Sequence, residues 1–107
     1  MAEMKDLFDT KQFVEDYISK MNNGFEFSSD IFFPESPNSK LQIHVKHGES
    51  IILEMSYWQN DQCRCEAVDL DKALLIFEDE VAINNTICSG EFMCKKVKIF
   101  YDYVLQN

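Results

Sequence analysis

Between Leu41 and Val68 the hydrophobic positions form three runs of alternation. Leu41, Ile43 and Val45 alternate with Gln42, His44 and Lys46. Ile51, Leu53, Met55 and Tyr57 alternate with Ile52, Glu54, Ser56 and Trp58, and Cys63, Cys65 and Ala67 with Arg64, Glu66 and Val68. A period of two belongs to strands with one buried face, so this stretch predicts an antiparallel β-meander. A two-residue loop at Gly48-Glu49 would set Ile43 against Glu54 and bring a carboxylate to the buried face. A three-residue loop, His47-Gly48-Glu49, instead pairs Val45 with Ile51, Ile43 with Leu53 and Leu41 with Met55. The same logic makes Gln59-Asn60-Asp61 the second loop and pairs Tyr57 with Cys63, Met55 with Cys65 and Leu53 with Ala67. Glu54 and Glu66 then face each other on the outer side, at a cost of a few tenths to ~1 kcal/mol unless Arg64 or Lys46 relieves it. That side also carries Ile52, Trp58 and Val68, so either another segment covers it or a partner meets it.

Before the meander, Asp9 as N-cap with Gln12 three residues on approximates a capping box, and Phe8 can staple onto Phe13. Phe13, Val14, Tyr17, Ile18 and Met21 lie on one helical face until Asn23-Gly24 stops it, which leaves residues 1–7 frayed. Phe25-Glu26-Phe27 could open an edge strand. Residues 30–39, with Pro34 and Pro37, read as a loop that Ile31, Phe32 and Phe33 anchor to the core or present as a binding patch.

After the meander, Asp69 can cap a second helix lined by Leu70, Ala73, Leu74, Phe77 and Val81, with Asp71, Glu78, Asp79 and Glu80 outward. Asn84-Asn85 breaks the pattern. From Glu91 onward a helix capped by Ser89, with Met93, Val97, Phe100, Tyr101, Val104 and Leu105 on one face, is favoured over a strand. The expected fold is a single α+β domain spanning 1–107: an N-terminal helix, a three- or four-stranded antiparallel meander, and one or two C-terminal helices.

With 107 residues, the chain has enough apolar content for one core and is too short for two. No run approaches a membrane span and the N-terminus lacks the apolar stretch of a signal peptide, which suggests a cytoplasmic protein. In that compartment Cys63, Cys65, Cys88 and Cys94 are expected as reduced thiols. A zinc site drawing on them with His44 or His47 is conceivable, but the usual C-x2-C spacings are missing, so no metal or other cofactor is expected. A net charge of −9, from ten basic and nineteen acidic residues, argues against direct nucleic-acid binding and for a basic partner surface.

Nucleophilic catalysis would need a Ser or Cys beside a histidine base. His44 falls on the outer face and His47 in a turn, while Cys63 and Cys65 point inward. The carboxylates sit on solvated surface where nothing would shift them. Three glycines leave no phosphate-cradling loop. No catalytic residue is therefore assigned.

The order of elements is similar to that of the double-stranded-RNA-binding domain. Its second helix begins with a lysine-rich phosphate contact, however, where this chain has Asp69, Asp71 and Lys72. The chain also resembles, at the level of build, small acidic phage anti-CRISPR proteins, which include inhibitors that present carboxylates to a nuclease's DNA-binding site as a phosphate mimic. That resemblance implies a non-catalytic inhibitor in which Asp69, Asp71, Glu78, Asp79 and Glu80, with Asp61 and Glu66, meet Arg and Lys of a nucleic-acid-binding protein. Trp58 joins them as an apolar anchor. The expected partner is thus a protein with a basic surface, such as a nuclease complex. Self-association into a homodimer through Ile52, Trp58 and Val68 is the alternative, and a small-molecule or metal-binding domain is a third.

Overall fold

The computed structural model describes residues 2–21, 24–84 and 88–106. In chain order these form α1 (Ala2–Ser19), β1 (Phe25–Phe32), β2 (Lys40–His47), β3 (Ile51–Trp58), β4 (Gln62–Asp69), β5 (Leu74–Ala82) and α2 (Ser89–Gln106). The five strands make one antiparallel sheet in sequential order, β1 joined to β2 by the loop 33–39 and the others by turns of three or four residues. Both helices pack on the same face of that sheet, leaving the other face open among the described residues.

The alternation that predicts the meander also decides its faces. Leu41, Ile43, Val45, Leu53, Met55, Tyr57, Cys63, Cys65 and Ala67 all lie under the helices and are buried. They meet Val14 and Ile18 of α1 and Met93, Val97, Phe100 and Val104 of α2. The helices run in the same direction, Thr10 of α1 lying beside Ser89 at the start of α2 and Tyr17 beside Cys94 and Lys98 further along. At one end the Thr10 and Ser89 hydroxyls meet at 2.6 Å, and at the other the Phe25 ring of β1 packs edge-on against Phe100.

The β3–β4 register, including Glu54 opposite Glu66, is the one predicted. The β2–β3 register is not: Val45 pairs with Leu53, Ile43 with Met55 and Leu41 with Tyr57, a slip of two residues. The turn is Gly48-Glu49-Ser50, because His47 stays in the ladder opposite Ile51 with its ring 5.2 Å from Phe25. An even slip keeps every side chain on its face, so the hydrophobic pattern could not distinguish the two registers.

The larger correction concerns Leu74–Ala82, which is the fifth strand and not a helix. Asp69 ends β4 and caps a turn, not a helix. Residues 70–73 form a tight turn with Ala73 at a positive φ of 51°, and β5 then returns along β4. Between Ala67–Phe77 and Val68–Leu75, Ile76 is an extra residue, and this bulge broke the period-two signal. The result is a five-stranded sheet where three or four strands were expected.

α1 begins at Ala2, so Asp9 lies in its interior and residues 2–7 are helical, not frayed. Its buried positions are Leu7, Thr10, Val14 and Ile18, whereas Phe8 and Phe13 are half exposed and form no staple. Burial of Leu7 against the sheet outweighed the capping signal. β1 extends through Phe32, shortening the expected loop; Ile31 packs on the core while Phe33, at a φ of 53°, is exposed. α2 spans the tail as favoured, with Met93, Val97, Phe100 and Val104 buried and Leu105 exposed. Asn23 and Asn85, assigned as breakers, lie outside the described residues.

Candidate functional site: the open face of the sheet

Cross-strand pairing arranges the open face in rows. One runs Ser28–His44–Glu54–Glu66–Glu78 and places three carboxylates on three successive strands. The next runs Asp30–Gln42–Ser56–Arg64–Glu80. An apolar row, Ile52–Val68–Leu75, lies on one side, continued by Lys46 and Glu26. At the opposite end Phe32, Lys40 and Trp58 form another, with the Lys40 ammonium 5.8 Å and 5.6 Å from the Phe32 and Trp58 ring centres. The face thus carries six carboxylates (Glu26, Asp30, Glu54, Glu66, Glu78, Glu80) against three cations (Lys40, Lys46, Arg64).

Local contacts make that arrangement tolerable. Gln42 Nε2 donates to Glu54 at 2.6 Å, and His44 Nε2 lies 3.1 Å from the same carboxylate. Arg64 bonds Glu78 and stands 3.6 Å from Glu66. Its hydrogen bond to Glu78, with the fields of Glu66, Glu78 and Glu80, raises the guanidinium above its ordinary pKa, so it stays a cation. Ser28, His44, Lys46, Ile52, Glu26 and Glu54 border a shallow concavity of about 590 Å³.

No family model, curated protein or solved structure matches the chain.

The predicted acidic residues do not act as one group. Glu66, Glu78 and Glu80 share the open face. Asp79, between the last two on a strand, points to the helix side and pairs with Lys96, whose ammonium also lies 5.5 Å from the Phe77 ring and 5.3 Å from the Phe92 ring. Asp69 is only 2% exposed. It accepts the Tyr103 hydroxyl at 2.7 Å and the Lys72 amide at 3.3 Å, so it ties the β4–β5 turn to α2 and is withdrawn from any partner. Asp61 and Asp71 stand exposed in turns; Asp71 accepts the Ser50 hydroxyl at 2.7 Å. Trp58 lies at the edge of the open face. Glu26, Asp30 and Glu54 belong with the site and were missed, although Glu54 was already placed on this face by its alternation.

The sulfurs and imidazoles are separated: His47 shares the helix side of the sheet with Cys63 and Cys65 but packs on Phe25 at the end of β2, opposite Ile51. Cys63 and Cys65 are buried under the helices while His44 is on the opposite face of the sheet. The hydrogen bond with Cys63, together with burial, pushes the Cys65 thiol far up, and burial beside Cys88 raises Cys94 to about 11. Among the described residues no group of three or more His, Cys, Asp or Glu is arranged to hold a metal ion. No described helix is long and apolar enough to cross a membrane.

Proposed function

We propose that the protein is a non-catalytic binding module whose open sheet face receives a basic surface of another protein. The observation that carries this reading is the Glu54–Glu66–Glu78 row. Like charges directly opposite one another cost the fold stability, and nothing in the packing of the core calls for them. On a partner rich in Arg and Lys the same row becomes an attractive field, with Trp58 and Phe32 at one end and Ile52, Val68 and Leu75 at the other supplying apolar contact. A surface that otherwise holds phosphate is the kind such a row fits, so the module acts as an inhibitor by occupying a nucleic-acid-binding site.

The test is capture of partners on the immobilised full chain at low and moderate salt, read by mass spectrometry beside the Glu78→Lys/Glu80→Lys variant. A basic nucleic-acid-binding protein retained by wild type, lost with salt and with the variant, and displaced from its nucleic acid by wild type supports the reading. Partners retained equally by the variant would refute the role of this face.

A further inference from the structure

The helix layer carries a second surface of different character. Between α1 and α2, on the side away from the sheet, a groove of about 720 Å³ is lined by Phe13, Tyr17, Cys94 and Ile99, with Glu91, Lys95 and Lys98 on its margin. Phe13 is 53% exposed and Ile99 47%. Phe13 lies across the first turn of α2 so closely that a Cβ on Gly90 would stand 2.7 Å from its ring, which fixes one wall of the groove. Glu91 and Lys95 are one turn apart in the order that favours an intrahelical pair, yet neither makes an ion pair among the described residues.

We infer that this groove is a homodimer interface, its occupant the helix layer of a second copy related by a two-fold axis. In a two-fold contact a patch meets itself, so it must carry both charge signs around an apolar centre. The groove does so, with Glu91 and Lys95 flanking Phe13 and Ile99 and the third charged margin residue, Lys98, already balanced by Asp102 at 2.8 Å. The open sheet face does not, since six carboxylates against three cations repel their own image.

Size agrees with a modest dimer. Two helices of 18 residues, each roughly 27 Å long and about 10 Å across, together present about 500 Å² in projection, and their side-chain relief adds accessible area. That approaches the roughly 600 Å² per subunit of the smaller specific interfaces. Such a dimer holds both acidic faces outward, so it presents two docking surfaces at once.

Sedimentation and light scattering of the full chain up to about 300 μM, a range that detects weak association, test this. The expected result is a dimer that added salt does not weaken, because its centre is apolar and each copy carries a net charge of −9. Ile99→Glu and Phe13→Ser should each raise the dissociation constant by about tenfold or more. Both should keep the wild-type circular dichroism; Ile99→Glu should also keep the thermal transition, while Phe13→Ser lowers it modestly because the ring packs on the first turn of α2. A wild-type chain that stays monomeric throughout overturns the inference. So does a dimer that survives both substitutions, or one that Trp58→Ala disperses. The Glu78→Lys/Glu80→Lys variant should leave the dimer intact, so failure here and failure of the sheet face as a docking surface are separately visible.

Discussion

Glu66 offers the sharpest test of the view that the open face is shaped against the interests of the fold. It has Glu54 directly opposite on one side and Glu78 on the other. Each like-charge neighbour costs a few tenths to ~1 kcal/mol. Coulomb's law at roughly 5 Å in a water-like dielectric gives about 0.8 kcal/mol per neighbour before screening, which agrees. Glu66→Gln removes both repulsions and keeps the side chain's size. It also loses the 3.6 Å contact with Arg64, a solvent-screened pair that takes back part of the gain. The expected net effect is a stabilisation of about 0.5–1 kcal/mol, or roughly 3–6 °C in Tm for a domain of this size.

Urea unfolding followed by the fluorescence of Trp58, the only tryptophan, measures it as a rise in midpoint at constant slope. In roughly half-molar salt the Debye length falls to about 4 Å, and the advantage of the variant should shrink with it. A variant less stable than wild type at low salt, or a gain independent of salt, would refute the electrostatic argument. The same substitution should weaken retention of a basic partner, so stability and binding move in opposite directions.

Three other outcomes follow from the packing. Phe100, fully buried between α2 and the sheet beside Phe25 of β1, should cost about 3–5 kcal/mol on replacement by Ala, measured by the same urea titration. Ser29 bonds Glu15 and is the main cause, ahead of Lys11, of a carboxyl pKa below its ordinary 4.5. A lowered folded value means stability present above pH 4.5 and lost as pH falls through the folded pKa, so Ser29→Ala should move the acid-unfolding midpoint to higher pH in a circular-dichroism titration. With a thiol-specific reagent Cys88 should react in the native protein, while Cys63, Cys65 and Cys94 react only on denaturation, because all three are buried out of the reagent's reach and burial also disfavours the thiolates of Cys65 and Cys94.

The limits of the sequence reading have identifiable physical causes. The faces of β2 to β4 were legible because one side of the sheet is buried, and period two then admits only two assignments, one of which puts Glu54 in the core. The β2–β3 register was not, since hydrophobic burial is indifferent to an even slip and the choice rests on His47 packing against Phe25, a contact 22 residues apart. β5 was misread for a compound reason. Leu70, Ala73, Leu74, Phe77 and Val81 recur at helical spacing, the bulge at Ile76 interrupts the alternation, and Asp79 sits where an inward-facing strand residue should be apolar. Only Lys96, on α2, makes that last position tolerable by meeting the carboxylate from above, and no local pattern announces such a partner. The error had a direct functional consequence. On a helix Glu78, Asp79 and Glu80 would fan around the axis and form no row. On a strand Glu78 and Glu80 fall on one face, in register with Glu66 and Arg64, and the strand thereby turns a dispersed acidity into the ordered carboxylates on which the docking proposal rests.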